Sequence, residues 1–279
     1  MSLLWTTKKS VWDGLYDLES GFFGDGSDGA ITDGDDIRNA TDDIQATNIT
    51  LTSEGLIVVP KHPSHNRLIT IRATGTIKFD GSGGYFSSAY NGGEVSLGSD
   101  GDDASDYGAA GGDAGPGGNG DGGSGGAGWL PEQPVFDEAL TFQELVDFAG
   151  YSAQGGGGST DTTSKGGESC YGIVIAAPTF EVDTSGTNFS AQALGGSPTN
   201  FPKGGCGGGG GGGNVIMVAR TWTRSGTGYF GANSIGGFVT IGDGTSGEAG
   251  TVLAFVESGN SIPWSDTPSP NYYEMELNA

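Results

Sequence analysis

Gly204-Gly205-Cys206-Gly207-Gly208-Gly209-Gly210-Gly211-Gly212-Gly213 runs straight into Asn214-Val215-Ile216-Met217-Val218, and the reading of this junction decides the fold. Ordering a glycine costs more chain entropy than ordering any other residue, so a glycine run is commonly a flexible linker. This one instead ends in an apolar, β-branched segment that reads as a buried strand. The same coupling stands upstream, where Gly155 to Gly158 and Gly166-Gly167 precede Tyr171-Gly172-Ile173-Val174-Ile175. The glycines are therefore read as structure. Without side chains, extended left-handed threads of the polyglycine II type pack side by side and hydrogen-bond through their backbones. Collagen obeys the same steric rule, because only glycine fits at its crowded axis.

Working outward, a pattern recurs. Ile173-Val174-Ile175-Ala176-Ala177-Pro178-Thr179-Phe180-Glu181-Val182 is followed by Ser185-Gly186-Thr187, Phe189, Ala191 and Gly195-Gly196. Val215-Ile216-Met217-Val218-Ala219-Arg220-Thr221-Trp222 is followed by Ser225-Gly226-Thr227, Phe230, Ala232 and Gly236-Gly237. Ala73 to Asp80 is an earlier copy, and Thr251 to Val256 is a shortened last one. Strand-like segments also stand at 48–52, 55–59 and 68–71. A buried strand, a turn, a half-buried strand and a glycine return cannot bury a face alone and must stack on neighbouring copies. The expected fold is mainly β: stacked β-layers or short β-helix coils combined with polyglycine II-type threads and one short helical insert.

Composition agrees with a small conventional core. Glycine supplies 57 of 279 residues, about three times its usual share, and apolar residues make up 34%, below the globular norm. The 34 acidic residues against 11 basic ones give a net charge of −23, which repels nucleic acid and anionic membranes. Two readings of this charge remain: life in very high salt, or carboxylates that bind divalent cations. The acids are spread along the chain and lysines number only six, which favours high salt. Met1 to Ser10 lacks the apolar region of a signal peptide, and no apolar run is long enough to cross a bilayer, so membrane insertion is not expected. Cys170 and Cys206 each precede an apolar strand; a disulfide and two free buried thiols are both compatible with that placement.

Three parts are expected along the chain. Residues 1–23 form an N-terminal docking or capping element. There Ser10 caps an amphipathic helix over Val11, Trp12, Leu15, Tyr16 and Leu18, with Gly21 as its stop. Trp5, Trp12, Leu15 and Tyr16 are its candidate docking residues. Residues 24–257 form the glycine-rich β-stack. It opens on Phe23-Gly24-Asp25-Gly26-Ser27-Asp28-Gly29-Ala30-Ile31, which demands tight turns with positive φ, and continues through an acidic, solvated loop at Asp33 to Asp43. An insert at 129–150 carries the capping box Thr141-Phe142-Gln143-Glu144, and places Phe142, Leu145, Val146 and Ala149 on one helical face before Gly150. Residues 258–279 form an aromatic and proline-rich tail that covers an end of the stack.

No catalytic motif is recognisable in the sequence; among 34 acidic residues some carboxylate pair always lies close, so paired acids stay open for glycoside cleavage without pointing to it. His62 and His65 share one short loop without a third placed ligand, so no metal is expected. Gly117-Gly118-Asn119-Gly120-Asp121 misses the calcium nonapeptide spacing, and the 23–31 turn misses the EF-hand loop. No nucleophile elbow and no phosphate loop is present. The chain is expected to be neither an enzyme nor a cofactor binder.

Phe23-Gly24-Asp25-Gly26-Ser27-Asp28-Gly29, then Asn48-Ile49-Thr50-Leu51, Gly75-Thr76-Ile77 and the glycine runs resemble the glycine-rich tail and adhesin proteins of tailed viruses. The polyglycine-sandwich adhesins at the tips of T-even-like long tail fibres are similar to the second half. The resemblance covers roughly residues 20–95 and 150–257; the helical insert departs from it, and the acidity points to a virus of a halophilic archaeal host. It implies an exposed virion appendage on tail or head that binds a host envelope glycan or an S-layer glycoprotein, alongside other virion proteins and as a homo-oligomer such as a trimer. The alternative is a purely structural tail, baseplate or head-decoration subunit. A β-helical glycan-cleaving enzyme is a third, weaker class. Aromatic rings offer large contact area at low entropic cost, so candidate receptor contacts are Asn200, Phe201 and Lys203 in the proline-stiffened 197–203 loop. Tyr85, Phe86, Tyr90, Tyr229 and Phe230 are the other candidates.

Overall fold

The computed structural model describes residues 15–52, 54–81, 84–88, 111, 128, 136–152, 167–168, 170–183, 188–194 (backbone only), 208–237, 245–266, 268 and 271–279. Strands β1 (Leu15–Leu18) and β2 (Ala30–Ile31) precede helix α1 (Gly34–Arg38). A first set of three strands follows: β3 (Ile44–Ala46), β4 (Asn48–Thr52) and β5 (Gly55–Val59). The second set is β6 (Ile71–Ala73), β7 (Thr76–Asp80) and β8 (Gly84–Ser88). After β9 (Ala139–Leu140) and helix α2 (Phe142–Ala149) comes a third set, β10 (Ile173–Ala176), β11 (Thr179–Val182) and β12 (Asn188–Leu194). The fourth is β13 (Val215–Val218), β14 (Thr221–Arg224) and β15 (Tyr229–Ile235), and β16 (Val252–Glu257) and β17 (Tyr272–Leu277) end the chain.

Each set sends its three strands to three different sheets. The first strands join an eight-stranded sheet ordered β3-β6-β10-β13-β16-β17-β1-β9. The second strands form β14-β11-β7-β4-β2, and the third form β15-β12-β8-β5. Every neighbouring pair is parallel. The register follows the sequence repeat: Ile173 lies against Val215, Phe180 against Trp222 and Phe189 against Phe230. Mainly β architecture with parallel sheets is thus what the repeat produces.

Burial explains why the strands differ in pattern. β10, β13 and β16 are continuous apolar runs because the eight-stranded sheet is covered on both faces, as parallel sheets usually are. Ile173, Ile175, Val215 and Met217 point into the interior between the sheets. Val174, Ile216, Leu253 and Phe255 point outward into a second apolar cluster with Leu145, Phe148 and Tyr16. β4, β7 and β11 alternate instead, with Ile49, Leu51, Ile77, Phe79, Phe180 and Val182 inside and polar residues outside.

Helix α2 supplies the second cluster's cover. Its capping box is closed: the Thr141 hydroxyl accepts from Glu144 N–H and Glu144 accepts from Thr141 N–H. Glu19 caps it further, accepting from Phe142 N–H at 2.8 Å, where a carboxylate also meets the positive helix end. At the other end the Asn214 amide donates to Phe148 O and its oxygen accepts from Thr251 N–H. Gly172 is obligatory there, because a β-carbon would strike the Ala149 carbonyl.

Three local expectations meet the structure differently. Gly24, Gly26 and Gly29 do take positive φ, at 87°, 75° and 70°. The helix expected over Val11 to Leu18 is corrected: residues 15–18 are strand β1, while residues 11–14 lie outside the described residues. Parallel pairing to β17 on one side and β9 on the other satisfies its backbone, and Tyr16 turns inward while Leu15 stays 44% exposed. Part of the acidic loop at 33–43 is helix α1, capped by Asp33 onto Asp35 N–H.

The glycine run joins this framework as interior. Gly208 to Gly213 are all buried and belong to no strand. Gly209, Gly212 and Val215 donate to the carbonyls of Thr245, Glu248 and Thr251, a step of three residues on both segments. Gly208 accepts from Gly167 N–H, Gly210 from Gly237 N–H, and Gly211 from the Ser152 hydroxyl. A β-carbon on Gly209 would fall on the Gly237 carbonyl and one on Gly210 on the Glu168 carbonyl.

Candidate recognition surface

The aromatic candidates separate by burial. Phe86 and Phe230 have no exposed surface: Phe86 packs edge-on to Phe79 at 5.3 Å and Phe230 against Trp222 at 5.4 Å. They are core residues and offer no ring to a ligand. The repeat already held that signal, since Phe230 stands in register with Phe189 of the preceding copy and takes an inward position in β15. Tyr85 points outward and is half-buried, as is Tyr229. Tyr229 donates its hydroxyl to Asp266 at 2.9 Å, and burial followed by that carboxylate raises its pKa. Of the docking set, Tyr16 is buried and Leu15 exposed. Asn200, Phe201, Lys203, Tyr90, Trp5 and Trp12 lie outside the described residues.

Around Tyr229 the C-terminal segment packs on β14 and β15, the outermost strands of the two smaller sheets. Trp264 packs on Trp222 at 5.4 Å and on Tyr272 at 5.7 Å. Its ring N–H donates to the Tyr272 hydroxyl, which donates to Glu274. Burial and Glu274 together push the Tyr272 pKa up. Arg224 holds Ser265 and the Pro263 carbonyl, and Ser265 N–H donates to Phe230 O. Tyr272–Leu277 then enters the eight-stranded sheet beside β16 and β1.

The opposite edge, at β2 and β3, carries a cluster of carboxylates. A cleft of about 410 Å³ is lined by Asp28, Asp36, Asp42 and Asp43 over Ile31 and Ile44. His62 lies beside it, buried, with Nε2 3.4 Å from Asp42 and its ring 4.4 Å from that of His65. Asp42, Asp43 and His62 are close enough together to suggest a metal. Their bonds explain the grouping otherwise. Asp43 receives both Arg67 Nη atoms, at 2.7 and 2.8 Å, and Thr70 N–H at 2.8 Å. Burial raises its pKa, but Arg67 and Thr70 outweigh that and hold the carboxyl below its ordinary value. Ser64 N–H donates to His62 Nδ1, so the neutral ring carries its proton on Nε2, facing Asp42. In that tautomer Nε2 donates to Asp42, which accounts for their approach.

Cys170 is a free thiol, fully buried, 2.7 Å from the Ser88 hydroxyl. Burial pushes its pKa up to about 11. Cys206 lies outside the described residues.

Sequence reading missed the outward face of the five-stranded sheet. Asn48, Thr76, Thr179 and Thr221 fall in one row across β4, β7, β11 and β14. Thr50, Lys78, Glu181 and Thr223 form the next row. Lys78 Nζ lies 3.2 Å from Glu181, 3.2 Å from Asp183 and 3.9 Å from Asp80. The hydrogen bonds it donates to Glu181 and Asp183 raise its pKa. The missing signal was the polar half of the same alternation that revealed the core.

Fold and surface together define a mainly β protein with three parallel sheets and a buried glycine segment. No protein-family model, curated protein or solved structure matches the chain.

Proposed function

We propose that this chain is an exposed appendage protein of a tailed virus of a halophilic archaeal host, and that it binds a host envelope glycan or glycoprotein without catalysis. In this reading each set of three strands is one coil of a short β-helix, and residues 208–213 are polyglycine II-type threads packed on its flank. The observation that carries it is the three-residue step of hydrogen bonds from Gly209, Gly212 and Val215, which matches the three residues per turn of that conformation. A stack tied together by backbone tolerates change in its loops, and loops on a rigid scaffold commonly carry recognition. The acidic surface suits molar salt.

Labelling intact virions with an antibody to the folded protein tests the reading. Distal label on tail or head, together with adsorption of the purified protein to host cells, supports an adhesin. Label that appears only after virions are taken apart makes it a structural subunit instead.

A further inference from the structure

The five-stranded sheet departs from the usual behaviour of parallel sheets, which bury both faces. α2 packs on β10 and β13 of the eight-stranded sheet, whereas among the described residues no helix packs on the outward face of β4, β7, β11 and β14. Asn48, Thr221 and Thr223 are exposed there, and Thr50, Thr76 and Thr179 are partly so. The charges at the centre are spent on one another, since Lys78 is held by Glu181, Asp183 and Asp80. The Asn48 oxygen already accepts from Thr76 N–H, so what remains for a ligand is a row of the Asn48 NH2 and three hydroxyls, one per strand, at a strand spacing of about 4.8 Å.

Resting on the appendage reading, we propose that this face binds one extended, uncharged glycan chain laid across the strands, with one sugar over each of β4, β7, β11 and β14. Three properties of the face choose that ligand. Among the described residues the cation at the centre of the face, Lys78, is already held by three carboxylates that would repel a polyanion, and a polycation would have to displace Lys78 from them. An uncharged chain of hydroxyls meets neither obstacle and pairs with threonine and asparagine, which both donate and accept. An extended pyranose chain also advances by nearly one strand spacing per sugar, so each sugar lies over one strand, and groups that donate and accept can meet either edge of a chain whose successive sugars alternate.

The test uses the full chain in molar KCl on an array of linear neutral oligosaccharides, cello-, chito- and manno-series of two to eight sugars, beside oligogalacturonates. Affinity is expected to rise with length up to four sugars and then level off, with the oligogalacturonates unbound. The triple variant Thr76→Val, Thr179→Val, Thr221→Val keeps shape and β preference but loses three hydroxyls, so binding should weaken about tenfold or more at unchanged melting temperature. A second variant, Thr50→Val with Thr223→Val, covers the case in which the first folds poorly, and should also weaken binding. No bound neutral chain, preference for the oligogalacturonates, or full binding by both variants overturns the proposal. Host-cell adsorption separates the two readings. Equal adsorption of parent and variants leaves an adhesin whose contacts lie elsewhere, and no adsorption by the parent removes the adhesin itself.

Discussion

Gly210 has no room for a β-carbon, because the Glu168 carbonyl already occupies that place. The obstacle is backbone, which cannot swing aside as a side chain can. Gly210→Ala should therefore cost at least about 3 kcal/mol, at the upper end for an overpacked site, and sharply lower the folded yield. Gly29 offers a control: its surroundings are open but its φ is 70°, so Gly29→Ala should cost only about 1–2 kcal/mol through the left-handed backbone. Urea unfolding of both variants checks the order. Asp43 gives the pH dependence at this scale. Its carboxyl is held below the ordinary value in the folded state, so its contribution is present above the unfolded value near 4 and is lost as pH falls through the folded value. Asp43→Asn should destabilise by about 2 kcal/mol at neutral pH and flatten the acid limb of the stability curve below pH about 4. An unchanged acid limb would remove Asp43 from that account.

Asn214 shows what joins one element to another. It sits at the seam of glycine run and strand, and its amide ties the end of α2 to Thr251 before β16. Asn214→Ala leaves the Phe148 carbonyl and the Thr251 N–H buried without this partner, at about 2–4 kcal/mol. Faster hydrogen exchange over 142–149 than over β10 should accompany the loss, and uniform loosening would contradict the tether. The elements that could be read from sequence are those whose determinants are local. α2 declares itself by its capping box, and β10, β11, β13 and β14 by a repeat whose register the sheets preserve. β1 could not be read in this way. Four residues with Leu15, Tyr16 and Leu18 fit a helical or a strand period, and the partners that decide, β17 and β9, lie more than a hundred residues away. α1 was hidden because aspartates mark turns and helix starts alike. At the surface, Tyr229 and Phe230 are adjacent and both aromatic, yet only the alternation of β15 sends one out and the other in.

Across the molecule, the acidic surplus sets how stability responds to solvent. Arg38, Arg67, Lys78 and Arg220 each hold carboxylates, but 11 basic residues cannot neutralise 34 acidic ones. Raising KCl from dilute to molar shortens the screening length to about 3 Å and weakens this self-repulsion, so the melting temperature should climb with salt. A flat or falling curve would remove the halophilic reading while leaving the fold untouched. The central claim is different: the glycine run is ordered interior, bonded to neighbouring segments as securely as strands are to each other. Amide hydrogen exchange, resolved to Gly209 and Gly212 in molar KCl, addresses it most directly. The two amides donate to Thr245 and Glu248 and are buried, so they should be protected to the same degree as Ile216 and Val218 in β13. Exchange of both at the rate of an unfolded peptide would show the run to be a linker, and the account would fail.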